Sequence, residues 1–221
     1  FEIFRITSLT TAEQLTTNTV DDTNVSVTLG DALCTGHSCF DVNYTLVWES
    51  QRFCLLAPSK RTIQLRTKSG STFTDSSVSS CGSDLTQPSI SGNGKYIAFV
   101  RKSGNTRSVE LYKVATQSFS TIASTGGGLS LTNYFDPSPS DDGKKVVYLS
   151  RTNTFPPSSS IRLYNNGAIS SIVSGATFSH PHLTADGKWL TYAQQVSGTY
   201  RIKTRNLLTN LDIDSTAPAS P

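Results

Sequence analysis

Three stretches of the chain carry the same motif at a nearly constant spacing, and this repeat restricts the possible folds more than any other feature. They read QPSISGNGKYIAFV from Gln87, DPSPSDDGKKVVYLS from Asp136 and HPHLTADGKWLTYA from His180. Each has Pro at its second position and Gly-Lys at its eighth and ninth, and an apolar strand follows. The prolines lie 49 and then 44 residues apart. A motif that recurs every ~40–50 residues indicates a propeller or a solenoid array.

Each repeat predicts four strands, which is the content of one propeller blade. Asn93-Gly94, Asp142-Gly143 and Asp186-Gly187 are dipeptides favoured where both central turn residues need a positive φ, so we expect two-residue hairpins after the first strands. The proline before each turn lacks an N–H, which suits the start of a strand rather than its middle. Second strands are expected at 96–100, 146–149 and 189–192, third strands at 109–114, 161–166 and 200–205, and fourth strands at 118–123, 169–174 and 210–215.

The motif Pro-x-x-[Ser/Thr]-x-[Asp/Asn]-Gly-Lys, followed by an apolar strand, resembles the TolB-like (WD40-like) β-propeller repeat three times between residues 87 and 215. The chain departs from the family pattern at Ser91-Gly92, Ser140-Asp141 and Thr184-Ala185, where the family has Ser-Pro. These changes affect packing more than the fold. The resemblance implies an all-β propeller of four-stranded antiparallel blades.

The N-terminal part fits the repeat less well. FEIFRITS (1–8) and AEQLTTN (12–18) resemble the third and fourth strands of a family blade, and 25–29, 41–50, 62–68 and 71–75 predict the four strands of a blade without the Asp-Gly-Lys turn. We therefore expect about four full blades plus an N-terminal partial blade in one propeller, 1–215. The predicted parts are a partial blade at 1–18, blades at about 24–76, 87–123, 136–174 and 180–215, and a linker-like tail at 216–221.

The four cysteines, Cys34, Cys39, Cys54 and Cys81, all lie in this N-terminal part. Their even number and the Ser/Thr-rich composition favour disulfides over free thiols and indicate a secreted, cell-surface or periplasmic protein. A zinc site would need a second closely spaced pair, which Cys54 and Cys81 do not form. We expect Cys34 to pair with Cys39, closing the loop that replaces the missing turn, and Cys54 to pair with Cys81 by elimination.

The composition and motifs argue against several functions. A net charge of +3 without a block of basic residues does not indicate nucleic acid as a partner. No apolar run is long enough to span a membrane. The sequence has no G-x-S-x-G, Walker or calcium-loop motif, so we predict no catalytic residue, no metal and no cofactor. For His180 and His182 we expect ordinary polar roles on an inner strand; a metal site is the alternative, because some pectate-degrading TolB-like relatives use metal-binding histidines.

Two surfaces are candidates for binding. Loops between second and third strands meet on one rim of a propeller, and basic and aromatic residues there could hold an acidic protein segment or a sugar. They could equally be solvated surface. The N-terminal strand could recruit another chain by β-augmentation and build a head-to-tail assembly. The rim residues are Arg101, Lys102, Arg107, Arg151, Phe155 and Tyr200, and the edge residues are Phe1, Ile3, Arg5 and Thr7.

Taken together, the sequence favours a non-catalytic extracellular or periplasmic module that binds a protein partner or copies of itself. Two alternatives stay open. The chain could be the propeller portion of an enzyme, a peptidase or a polysaccharide lyase, or it could be a lectin-like domain that binds carbohydrate. Fold alone does not decide among them.

Overall fold

The computed structural model describes residues 4–8, 11–14, 22–29, 33–35, 38–40, 43–51, 60–78, 82–126, 131–155, 157–175 and 177–214. For residues 4–8, 11–14, 29, 33–35, 38–40 and 214 the description is limited to the backbone. Strands make up most of this part of the chain, and a 3₁₀ turn, Val114–Thr116, interrupts them. Within the described ranges no helix is long and apolar enough to cross a membrane.

The strands form four antiparallel sheets of four, together with two short hairpins. The hairpins are β1 (Phe4–Ser8) with β2 (Thr11–Gln14), and β4 (Leu33–Thr35) with β5 (Ser38–Phe40); the second is inserted after the first strand of blade 1. Blade 1 contains β3 (Asp22–Leu29), β6 (Tyr44–Ser50), β7 (Thr62–Ser69) and β8 (Thr72–Ser77). Blade 2 contains β9 (Asp84–Ile90), β10 (Tyr96–Ser103), β11 (Thr106–Lys113) and β12 (Ser118–Ser124).

Blades 3 and 4 repeat this arrangement. Blade 3 contains β13 (Thr132–Pro139), β14 (Lys145–Thr152), β15 (Ser158–Asn165) and β16 (Ala168–Ser174). Blade 4 contains β17 (Phe178–Leu183), β18 (Trp189–Val196), β19 (Thr199–Asn206) and β20 (Asp212–Asp214). The predicted all-β propeller of four full four-stranded blades and an N-terminal two-stranded piece is therefore confirmed.

The core lies between the blades, because the sheets of blades 2 and 3 bury both of their faces. In β10, Ile97 and Phe99 pack with blade 1, whereas the alternate residues Ala98 and Val100 pack with blade 3. All four are at most 2% exposed. The same alternation in β14 places Val146 against blade 2 and its neighbour Val147 against blade 4. A strand buried on both faces has to be apolar at consecutive positions, which explains the runs IAFV and VVYL.

Several predictions about the N-terminal part concern residues or side chains outside the described residues. Phe1, Ile3, Cys54 and Cys81 are among them, as are the side chains of Arg5, Thr7, Cys34 and Cys39. The assembly edge and the disulfides therefore stay predictions. The backbone does place Cys34 directly opposite Cys39 in the β4–β5 ladder, so the segment expected to be a loop contains a small hairpin.

The prediction for the Asp-Gly-Lys turns is correct for the glycines and wrong for the turn type. Gly94, Gly143 and Gly187 have φ of 72°, 66° and 65°, as expected, but Asn93, Asp142 and Asp186 are not among the residues with positive φ. Five residues, not two, separate the strands in each case, for example 140–144 between β13 and β14. The turns therefore need only one left-handed residue each, and side chains determine the rest of their shape.

A clamp formed by the Ser/Thr and the Asp/Asn of the motif organises each turn. Ser140 Oγ donates to Asp142 Oδ1 at 2.7 Å and accepts from the backbone N–H of Lys145 at 3.1 Å. Asp142 Oδ1 also accepts from the N–H of Lys144 at 3.0 Å. The same three bonds recur with Ser91 and Asn93 in blade 2 and with Thr184 and Asp186 in blade 4. The repeat motif is thus a side-chain-capped turn.

The prolines also lie elsewhere than expected. Pro88, Pro137 and Pro181 are inside β9, β13 and β17 rather than at their starts, at points where the register with the second strand shifts. Such a bulge leaves one residue out of the ladder. A proline is tolerated there because these inner strands have a neighbour in their sheet on one side only.

The glycine of the blade 3 turn contacts the preceding blade, which makes it sensitive to substitution. A Cβ at Gly143 would lie 2.5–2.7 Å from ring atoms of Tyr96, whereas a Cβ at Gly104, which also has positive φ, would have nothing within 4 Å. We expect Gly104→Ala to destabilise the fold by about 1–2 kcal/mol through backbone strain alone. Gly143→Ala should cost about 1–3 kcal/mol more because the ring has to move. Urea unfolding of both variants checks this; equal losses would contradict the interblade contact.

The turn clamps should make the stability of the fold depend on pH in the acidic range. The Ser140 and Thr184 hydroxyls, with backbone N–H groups, lower the pKa values of Asp142 and Asp186. A carboxyl with a lowered folded-state pKa stabilises the fold above its unfolded-state value of about 3.9, and this contribution is lost as the pH falls through the folded-state pKa. The variant Asp142→Asn/Asp186→Asn keeps an acceptor, as Asn93 does naturally. Between about pH 5 and pH 2, the free energy of unfolding of this variant should fall less than that of the wild type. Urea unfolding at several pH values measures both, and an equal fall in the two proteins would contradict the role of the clamp.

Candidate functional site

The inner strands of all four blades line one central cavity of about 380 Å³. Each strand contributes the same three repeat positions, and in blades 2, 3 and 4 the middle one is the motif proline. The lining residues are Asn24, Val25 and Ser26 from β3, Gln87, Pro88 and Ser89 from β9, Asp136, Pro137 and Ser138 from β13, and His180, Pro181 and His182 from β17.

The first residue of each triplet has a left-handed backbone. The φ angles are 52° at Asn24, 56° at Gln87, 48° at Asp136 and 51° at His180. A non-glycine residue held there costs on the order of 1–3 kcal/mol, and such strain persists only where the surroundings enforce it. Four repetitions in equivalent positions indicate a common cause.

That cause is a relay of hydrogen bonds from each blade to the next. The side chain of Gln87 accepts from the backbone N–H of Asp136 at 3.1 Å, and Asp136 Oδ2 accepts from the N–H of His180 at 3.2 Å. In each case the polar side chain of one blade holds the left-handed residue of the following blade. The bulge turns this N–H out of its own ladder and makes it available to the neighbour.

Blade 1 supplies its acceptor from a different strand. Glu49, on β6, is fully buried and accepts from Asn24 Nδ2 and from the N–H of Gln87. Its other oxygen pairs with Arg61 at 3.1 Å. Sequence reasoning missed this residue, although a lone Glu at the end of the apolar run YTLVW was a signal that a buried charge with a partner was present.

A second set of bonds runs parallel to the first at the third position of the triplets. Ser26 Oγ accepts from the N–H of Ile90 at 3.2 Å, and Ser138 Oγ accepts from the N–H of Leu183 at 3.0 Å. Between blades 2 and 3 the equivalent donor would be residue 139, which is a proline and has no N–H. The inner strands are therefore joined by paired contacts, with one position omitted.

His180 and His182 occupy the acceptor positions of these two sets in blade 4. Both side chains are exposed and line the cavity. The backbone N–H of His180 belongs to the relay. The polar role expected for the two imidazole side chains stays a prediction. In the described ranges, no three His, Cys, Asp or Glu side chains are grouped so that they could hold a metal ion.

The predicted rim residues lie in or near the loops that join the second strand to the third in blades 2, 3 and 4. Two arginines are held by neighbouring groups: Arg101 lies over the Phe119 ring at 5.0 Å, and Arg151 lies over Phe135 at 5.3 Å and donates to the carbonyl of Phe178. The other four are more open. Phe155 is fully exposed, Tyr200 and Lys102 are exposed, and Arg107 is half-buried.

A second cavity, the interblade groove, lies between the sheets of blades 2 and 3 and has a volume of about 360 Å³. Exposed Arg162 lines it together with Tyr134 and Tyr148 and the strand ends that flank the Phe155 loop. Burial raises the pKa of Tyr134, and raises that of Tyr148 to about 12 although Arg162 opposes both shifts. Both phenols are thus neutral donors at physiological pH. The remaining lining residues are Ala123, Ser124, Thr132, Ser150, Thr152, Ser158, Ser160 and Ile169.

The strand order and the four repeated sheets define this chain as a β-propeller of four-stranded blades. Its fold is similar to that of TolB from Acinetobacter baumannii, with a TM-score of 0.55 and 19% identity over 80% of this chain and 41% of that one. It is also similar to a puromycin-hydrolysing peptidase from Mycobacterium tuberculosis (TM-score 0.58, 12% identity, 95% and 34% coverage). A prolyl endopeptidase gives a TM-score of 0.54 at 13% identity, with 89% and 30% coverage.

These likenesses confirm the TolB-like resemblance at the level of the fold. No family model matches the chain, and no curated protein matches it. The chain spans between 30% and 41% of the length of the three solved structures. They include both TolB and peptidases, so the fold by itself assigns neither a binding role nor an enzymatic one.

The relay between blades 3 and 4 gives a direct test of its role in stability. Asp136→Ala leaves the N–H of His180 without its acceptor, and because this hydrogen bond is exposed the change should cost about 0.5–1.5 kcal/mol. Asp136→Asn keeps an oxygen in the same place and should recover most of this loss, as the amide of Gln87 serves in blade 2. Thermal and urea unfolding of the pair checks the expectation. If Asn and Ala prove equally destabilising, the hydrogen bond is not what matters at this position.

Proposed function

We propose that the chain is a non-catalytic binding module of an extracellular or periplasmic protein, and that it binds an acidic segment of a protein partner. The binding surface in this proposal is the interblade groove together with the neighbouring rim. The observation that carries it is the combination of one exposed arginine, two neutral tyrosines and a row of hydroxyls in a single groove.

The chemistry of the groove suits a carboxylate. A guanidinium binds a carboxylate through two parallel hydrogen bonds, and the neutral hydroxyls of Tyr134 and Tyr148 can donate further ones. Lys102 and Arg107, on the blade 2 part of the rim, add positive charge. These groups favour an acidic ligand over a neutral or basic one and make the association sensitive to salt.

An aromatic side chain beside the groove can anchor the partner. The loop carrying Phe155 joins β14 to β15, whose ends Thr152 and Ser158 line the groove. Phe155 is fully exposed, and aromatic residues supply much of the energy at protein interfaces. The Ser/Thr-rich composition and the cysteines support the proposed extracellular or periplasmic setting.

Peptide selection tests the proposal. A phage-displayed library of random 12-residue peptides is panned against the chain, and the enriched peptides are titrated by fluorescence anisotropy. We expect sequences rich in Asp and Glu with at least one large apolar residue. Their affinity should fall about tenfold or more in Arg162→Gln and should drop as the salt concentration rises, because a charge-assisted hydrogen bond is worth roughly 1.5–3 kcal/mol.

Lys144→Gln is the matched control, since it removes one exposed positive charge from a turn on the opposite rim. It should leave the affinity unchanged. Enriched peptides without acidic residues, or peptides that bind Arg162→Gln as tightly as the wild type, would contradict the proposal. Saturable binding of neutral oligosaccharides at the same groove, in place of acidic peptides, would favour the lectin-like alternative.

A further inference from the structure

Blade 4 leaves exposed a face that its sister blades bury. Val109 in β11 and Ile161 in β15 are 0% exposed, because the next blade covers them. Ile202 occupies the equivalent position in β19, opposite Ala193 in the second strand, and is 44% exposed. Ile213, in the neighbouring strand β20 on the same face, is 54% exposed. The face is apolar where an interblade contact would form.

The polar part of that contact is also in place. In the relay, the residue at the first triplet position accepts from the N–H of the left-handed residue in the next inner strand. The residue at the third position accepts from the N–H that lies three residues after that left-handed residue, as Ser138 does from Leu183. His180 and His182 hold these two positions in blade 4 and line the cavity. A neutral imidazole has one ring nitrogen able to accept such a bond.

We propose that this open face of blade 4 binds a β-hairpin of a partner protein whose leading strand contains the pattern residue–Pro–residue–apolar. The N–H groups of its first and fourth residues would bond to His180 and His182. Its apolar side chains would cover Ile202 and Ile213. The proline would lie at the bulge, as Pro137 and Pro181 do in the chain itself.

Continuity with the existing interfaces identifies this occupant. Blades 2, 3 and 4 each present such a hairpin to the blade before them, namely β9–β10, β13–β14 and β17–β18. All three combine an apolar face with an N–H turned outward ahead of a proline. The surface is distinct from the interblade groove, so this inference does not depend on the acidic-segment proposal.

The chain provides a suitable probe. A synthetic peptide of residues 177–196 contains the β17–β18 hairpin, with both N–H donors and an apolar face of Phe178, Leu190 and Tyr192 that packs against blade 3. It is titrated into the ¹⁵N-labelled full chain and followed by amide shifts, which detect binding up to millimolar Kd. We expect saturable shifts in β18, β19 and the His180–His182 segment of the chain.

Sister blades supply matched variants. In the chain, His180→Ala should lower the affinity for the peptide about three- to tenfold, because one hydrogen bond is lost. His180→Gln should bind nearly as well as the wild type, because Gln87 performs this role in blade 2. Ile202→Ser should also weaken binding. Methylation of the backbone nitrogen of the peptide residue that precedes its proline should lower the affinity as much as His180→Ala does. Arg162→Gln in the chain should leave the affinity unchanged.

Three outcomes would overturn the proposal. One is the absence of amide shifts at millimolar peptide, and another is shifts confined to the rim or the interblade groove. The third is a labelled chain that is already dimeric, with line widths that fall to monomer values in Ile202→Ser, because that would assign the face to a second copy. The groove variants keep this test separate from the acidic-peptide experiment, so either proposal can fail alone.

Discussion

The hydrogen bond between a side chain of one blade and a left-handed backbone N–H of the next is the interaction on which the geometry of this propeller depends. It draws each inner strand toward its predecessor at the point where the ladder is already interrupted. The polar bond offsets the cost of the left-handed backbone, and that backbone in turn directs the N–H at its acceptor. The apolar clusters between blades supply most of the stabilising area, but they are not directional. The relay sets the register in which they meet.

The sequence predicts most of the architecture because the repeat is local. Proline, the turn glycine and the following apolar run lie within fourteen residues, so strand order and blade number follow from pattern alone. The shape of the turns was not predictable from the dipeptide Asp-Gly. It depends on Ser140 and Asp142 acting together on the backbone of Lys144 and Lys145, and an isolated dipeptide does not show that cooperation.

The site was less predictable for a similar reason. The relay joins residues more than forty positions apart, such as Gln87 with Asp136 and Asp136 with His180. An amide, a carboxylate and an imidazole occupy the first triplet position in blades 2, 3 and 4, so the residue types alone do not indicate that these three side chains have equivalent places in the fold. Glu49 departs further, since it acts from a neighbouring strand. Among the rim residues, the sequence could not distinguish Arg101 and Arg151, which stack on phenylalanine rings, from the open Phe155.

The relay also has a direction along the chain. In each joint between blades 1 to 4, the acceptor side chain belongs to the earlier blade and the backbone donor to the later one. During synthesis, therefore, a finished blade already presents its acceptors when the next inner strand emerges, and that strand can be captured before the rest of its own sheet exists. The propeller is thus suited to vectorial assembly, in which each blade templates its successor and long-range search is limited to one repeat at a time.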